Sequence, residues 1–120
     1  MNKPHKKLNA WTGAVDLAQQ IYRVTERFPS NEQFGLTSQI RRAAVSIPSN
    51  MAEGAARQTK KEFIQFLHVS KGSLSELDTQ LEIARRLEYL GQFEWEALNE
   101  RLERVDRMLS GLIRHLRAKH

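Results

Sequence analysis

Near the end of the chain seven apolar residues recur with a single period. Trp95, Leu98, Leu102, Val105, Leu109, Leu112 and Leu116 are spaced 3, 4, 3, 4, 3 and 4 residues apart. That is an unbroken a/d seam, the pattern of a helix that buries one stripe against other helices. Glu100 with Arg104, and Glu103 with Arg107, stand four apart on the outer face, where each such pair supports a helix by about 0.2–0.5 kcal/mol. The spacing predicts a helix from about Glu94 to Arg117.

The same logic extends backwards. Thr59-Lys60-Lys61-Glu62 reads as a capping box, with Thr59 as N-cap and Glu62 reaching back. Phe63, Leu67, Ser70, Leu74, Leu77, Leu81 and Ala84 repeat the a/d spacing, and Phe66, Val69, Ile83, Leu87 and Leu90 form a second stripe. Gly91 is the expected stop, which gives a helix of about 31 residues and a link of two or three residues to the next one. So short a link makes the two antiparallel neighbours. A first helix is expected from about Ala10 to Phe28. Leu17, Ile21, Val24 and Phe28 make one stripe, and Trp11, Val15, Ala18 and Tyr22 another, before Pro29-Ser30-Asn31 breaks it.

The second helix, about Thr37 to Glu53, carries Leu36, Ile40, Ala44, Ile47 and Met51 at helical spacing with Pro48 inside the pattern. Proline removes a backbone donor and crowds the carbonyl four residues back, so a kink is expected, with Ser46, Ser49 and Asn50 placed to satisfy freed backbone groups. Gly54 is the expected C-cap. Residues 1–8 and the last few are expected to fray. The fold class that follows is all-α: one domain over residues 1–120, ordered from about 9 to 117. It is an antiparallel up-down-up-down four-helix bundle with a Pro-kinked second helix. Helices 1 and 3 each present more apolar arc than one bundle buries, which predicts a homo-oligomer closed by cyclic symmetry.

Several function classes are disfavoured by residue usage. The chain has no cysteine, so disulfides, thiolate zinc sites and thiol nucleophiles are absent, which fits a reducing compartment and a cytoplasmic location. No stretch approaches the ~18 consecutive apolar residues of a membrane span. Of the four histidines, His5, His115 and His120 lie near the ends, and His68 has no carboxylate three or four residues away, so the Glu-x-x-His pairs of a di-iron bundle are missing. Ser70, Ser73 and Ser75 surround Gly72 near His68 and Glu76, but a continuous helix offers no free N–H pair to stabilise an oxyanion. No cofactor is expected, and the chain reads as a non-enzyme.

Charge is the remaining signal. Residues 1–60 hold nine Lys/Arg against four Asp/Glu, and residues 61–120 hold ten of each. A basic half fits an anionic partner such as RNA or DNA, and equally a solvated surface. The basic groups fall as Lys3, Lys6 and Lys7, then Arg41 and Arg42, then Arg57, Lys60 and Lys61. Arg41, Arg42, Arg57, Lys60 and Lys61 are the candidate phosphate contacts, backbone-led and without sequence preference. Gln39, Arg41, Arg42, Asn50 and Glu53 are not explained by packing. They are candidates for a subunit interface or a ligand, or for an internal salt-bridge set such as Arg57 with Glu53.

The segment Thr37-Ser38-Gln39-Ile40-Arg41-Arg42-Ala43-Ala44-Val45-Ser46-Ile47-Pro48-Ser49-Asn50-Met51-Ala52-Glu53-Gly54 resembles the four-helix bundle family encoded in intervening sequences of bacterial large-subunit ribosomal RNA genes. Arg57, Phe63, Phe66 and Leu67 also fit that pattern, as does the run from Gly72 to Leu81. Members are often labelled as a ribosomal protein. The family is similar in fold to the accessory variability protein of diversity-generating retroelements, a homopentameric barrel that binds nucleic acid and a reverse transcriptase. The resemblance implies a bundle, a homopentamer and a nucleic-acid partner, with a reverse transcriptase implied by analogy alone, and it implies no catalytic residue. A structural protein–protein interaction module with no nucleic-acid role is the alternative.

Overall fold

The computed structural model describes residues 3–118, the side chain of Lys7 excepted; His120 lies outside the described residues. Four helices make up the fold: α1 (Asn9–Thr25), α2 (Leu36–Ala55), α3 (Lys60–Arg86) and α4 (Gln92–Ala118). Short 3-10 turns at Pro4–Lys7 and Ser30–Glu32 complete it, and no strand occurs among the described residues. The first of these turns stands where fraying was expected, and the His5 ring packs edge-on against Trp11 at 5.0 Å.

Contacts between helices fix their directions. Arg27, just past α1, pairs with Glu94 at the start of α4, while Gly13 lies against Val105 and Met108 further along α4. Ser46 of α2 meets Ser73 of α3, and Gly54 at the end of α2 meets Phe63 and Phe66 near the start of α3. Lys71 of α3 reaches Ser110 and Asp106 of α4, whereas Arg85 lies over the Trp95 ring. In each pair the later part of one helix meets the earlier part of the next, and α1 closes the square on α4.

The core is the one the spacing predicts, with small displacements. Leu67, Ser70, Leu74, Leu77, Leu81 and Ala84 of α3 are buried, as are Leu17, Ile21 and Val24 of α1 and Ile40, Ala44, Ile47 and Met51 of α2. On α4 the buried line runs Leu98, Leu102, Val105, Leu109 and then Ile113, with Leu112 and Leu116 only partly buried. A helix of 3.6 residues per turn drifts by ~20° per heptad, so a straight α4 brings Ile113 round to the core. Pro48 stands inside α2, buried, and the Ser70 hydroxyl donates to the Ile47 carbonyl beside it at 2.8 Å. Gln80 and Thr37 each keep one buried side-chain oxygen without a partner, and nothing in the structure explains either.

Three helix ends differ from the sequence reading. Gly54 is not a C-cap but sits in the last turn of α2, where it lets α3 approach closely. α1 ends at Thr25, whose hydroxyl turns back to the Ile21 carbonyl at 2.7 Å. α3 has 27 residues rather than 31 and stops before Gly91, which has no positive φ. Glu88 takes the left-handed conformation instead, at φ 65°. The Tyr89 N–H donates to the Ala84 carbonyl and the Glu88 N–H to that of Arg85, which is a Schellman closure. Tertiary contacts decide this early stop. Leu90 enters the core, the Tyr89 ring meets Phe28 at 5.5 Å, and the Tyr89 hydroxyl donates to Glu32 at 2.9 Å. That hydrogen bond, with burial adding to it, holds the Tyr89 hydroxyl above its ordinary pKa. The other Glu32 oxygen accepts the Leu36 N–H and so caps α2.

A left-handed conformation costs a side-chain-bearing residue roughly 1–2 kcal/mol. Replacing Glu88 by glycine should therefore stabilise the protein, by about 1 kcal/mol once the extra freedom of glycine in the unfolded chain is subtracted. Thermal melts would show a rise of a few degrees, and an unchanged or lower Tm would contradict the assignment.

Candidate nucleic-acid and assembly interface

The residues singled out on α2 separate by helical angle. Gln39, Arg42, Ser46, Asn50 and Glu53 follow one another at 3, 4, 4 and 3 residues, which puts them on one stripe. This stripe borders α3. The Ser46 and Ser73 hydroxyls are 2.8 Å apart, and the Asn50 amide donates to the Ser46 carbonyl at 2.8 Å and to its hydroxyl at 3.0 Å. Gln39, Arg42, Ser46, Ser73 and Glu76 line an open cleft of about 400 Å³. Glu53 accepts from Arg57 at 2.8 Å, the internal pair that the sequence left open, and the Arg57 guanidinium lies 4.8 Å from the Phe66 ring centre.

Arg41 points elsewhere. Its Nε donates to the Thr25 hydroxyl at 2.9 Å, one Nη donates to the Tyr22 carbonyl at 3.3 Å, and the guanidinium covers the Tyr22 ring at 4.6 Å. A cation over the last carbonyls of α1 complements the helix dipole there. The five candidate phosphate contacts are thus not one cluster. Arg41 is committed to α1, Arg42 is exposed at the α2–α3 cleft, and Arg57, Lys60 and Lys61 gather at the turn between α2 and α3.

The second apolar stripes of helices 1 and 3 are covered only in part by the chain's own helices: Ala18 and Leu90 are buried, but five members are exposed. Val69, Ile83 and Leu87 of α3 are 50%, 44% and 51% exposed. They stand 14 and 4 residues apart and share one face, adjoining the side of α3 that carries Ser73. Val15 and Tyr22 of α1, seven residues apart, are also exposed, as is Val45 one turn beyond Arg41 on α2. Their spacing places them on the outer side of the α1–α2 pair, where Arg41 bridges the two helices. Phe34 and Phe93, at the other end of the bundle from the α2–α3 turn, are nearly fully exposed. Sequence reading did not single out Val45, Phe34 or Phe93, because none belongs to a longer apolar stripe.

Two of the serines around Gly72 are engaged by α2. The buried Ser70 hydroxyl is spent on Ile47, Ser73 is paired with Ser46, and His68 meets Arg117 of α4 at 3.0 Å. Among the described residues no three His, Asp or Glu side chains come together as a metal site. No described helix is long and apolar enough to cross a membrane.

A family model described as "23S rRNA-intervening sequence protein" matches residues 6–111. No curated protein matches the chain. Among solved structures, the chain is similar to a Bacteroides thetaiotaomicron protein of unknown function from the S23 ribosomal protein family. The two are 26% identical, with a TM-score of 0.79 over 87% of this chain and 97% of that one.

Proposed function

The chain belongs to the 23S rRNA-intervening sequence protein family, and from that premise we propose that it is a non-enzymatic adaptor that works as a ring of copies and associates with nucleic acid in the cytoplasm. The observation that carries the assembly is the pair of uncovered apolar stripes on two different faces, one on the outer side of α1 and α2 and one on α3. A two-fold dimer would use one self-complementary face, whereas two unlike faces join head to tail and close as a ring when the rotation permits. Adjacent faces of a four-cornered bundle lie roughly at right angles, which suits closure with few copies. The homopentamer of the retroelement accessory protein, to which the family is similar in fold, is the expected size. A reverse transcriptase partner rests on that resemblance alone.

Val69→Glu with Ile83→Glu tests the assembly. Both sites are about half exposed, so the fold tolerates charge there while a dry interface does not. The double variant should keep wild-type helicity and lose mass to a single chain in light scattering. A variant that assembles like the wild type would remove α3 from the interface. One observation favours the alternative, a protein-interaction module with no nucleic-acid role: Arg41 and Arg57 already have partners within the chain. Absence of nucleic-acid binding at low salt by an assembled protein would establish that alternative.

A further inference from the structure

Seven of the protein's 19 lysines and arginines are gathered by the fold rather than by the sequence. The antiparallel order brings the start of α1, the α2–α3 turn and the end of α4 to one end of the bundle. Leu8, Asn9 and Ala10 lie beside Met108 and Leu112, Gly54 lies against Phe63 and Phe66, and Arg117 contacts His68. Within residues 3–13, 50–66 and 110–118 the described cationic side chains are Lys3, Lys6, Arg57, Lys60, Lys61, Arg114 and Arg117, all exposed. Only two carboxylates share those segments, Glu53 and Glu62. Glu53 is taken by Arg57, and Glu62 accepts the Thr59 hydroxyl at 2.9 Å. The acids that neutralise the second half of the sequence lie mainly between Glu76 and Asp106, away from this end.

We infer that this end of the bundle, centred on Lys60, Lys61, Arg114 and Arg117, docks nucleic acid through its phosphate backbone. Arg114 and Arg117 are the new members, drawn from the half of the sequence that is neutral overall. The end measures about as much as the bundle's 25 × 19 Å cross-section. Duplex DNA carries a charge every ~1.7 Å of axis, so a span of that size faces roughly ten or more phosphates. None of the large exposed apolar side chains falls in the three segments. Insertion into a lipid surface needs an apolar face, and protein hot spots need buried aromatic or aliphatic anchors. Exposed cations without such anchors fit a hydrated polyanion, and the absence of an exposed aromatic makes the contact independent of base sequence.

The docking face stands on a single copy, and it rests on the assembly reading only for avidity. Both uncovered stripes run along the helices, so copies joined through them present the same end to the same side of a ring. The basic ends then form one face, and repeated weak contacts reinforce one another.

The test is fluorescence anisotropy of the full chain with a labelled single-stranded RNA and a labelled DNA duplex of unrelated sequences. Wild-type affinity should fall about 10³-fold or more between 50 and 200 mM salt if six or more phosphates are engaged. Replacing Lys60, Lys61, Arg114 and Arg117 by alanine should cost at least tenfold for both probes and lower the salt slope by roughly three for the single strand and nearly four for the duplex. Replacing Arg23, Arg27, Arg86 and Arg101, which lie toward the opposite end of the bundle, should leave both unchanged. Absence of wild-type binding at 50 mM salt, or equal losses in the two variants, would overturn the proposal, as would tighter binding to phosphatidylserine vesicles than to either probe. Light scattering on the same samples separates the two readings. A single-chain wild type that binds through these four residues would sink the ring and leave the docking face standing.

Discussion

Replacing Gly54 by valine is expected to cost about 3 kcal/mol, at the upper end of what overpacking usually does. A Cβ at this position would sit 2.7 Å from the Phe66 Cβ, 3.0 Å from the Phe63 ring and 3.2 Å from the Phe63 carbonyl oxygen. Two of these atoms are fixed to the α3 backbone and cannot swing aside as the tip of a flexible side chain would. The two helices must separate, yet residues 56–59 join them directly. Alanine should be intermediate, because its helix propensity returns about 1 kcal/mol against glycine. Gly111→Ala is the control. Its added methyl meets only the Arg114 guanidinium at 3.8 Å, so propensity should prevail and stabilise by about 1 kcal/mol. Urea unfolding should move the two midpoints in opposite directions. A Gly54→Val midpoint equal to wild type would mean that α2 and α3 do not approach as described.

Leu77→Ala should cost about 2–5 kcal/mol, a large fraction of the ~5–15 kcal/mol that holds an ordinary domain together. Leu77 is fully buried in the middle of α3. Its removal loses the transfer free energy of the side chain and leaves a cavity that helices packed on both sides close only in part. Phe93→Ala removes a larger side chain that is 88% exposed and should stay within about 0.5 kcal/mol. A Leu77→Ala variant with a near wild-type urea midpoint would contradict the placement of the α3 stripe in the core.

The core was legible in the sequence because burial follows helical period. Each a/d position named on α3 between Leu67 and Ala84 is buried. The Thr59–Glu62 capping box also formed, with the Glu62 N–H donating to the Thr59 hydroxyl at 3.1 Å, although the Glu62 carboxylate takes the hydroxyl proton rather than a backbone N–H. What failed were the glycine signals. Gly91 and Gly54 read as helix ends, but a helix end is set by where the next side chains must go. Leu90 and Tyr89 are drawn to the core and force the turn onto Glu88, while the approach of α3 requires the absence of a side chain at Gly54.

The candidate site was only half legible. Arg41 and Arg42 are neighbours in sequence, but 100° of helix rotation sends one to α1 and the other to the α3 side. No local pattern distinguishes the two fates. A sum of charge along the chain does not reveal Arg114 and Arg117, because the acids of the second half cancel them. Antiparallel topology, which the short links implied, already places the end of α4 beside the start of α3, and that was the signal that could have found them.

The mass of the wild-type protein in solution tests the central claim most directly. Size exclusion with light scattering should give a single species several times the 13.9 kDa chain, roughly 70 kDa for a five-membered ring. It should persist across micromolar concentrations and at a salt concentration that abolishes nucleic-acid binding. A single species at 13.9 kDa under those conditions would mean that the uncovered stripes of α1, α2 and α3 do not join copies of this chain, and the ring would be refuted.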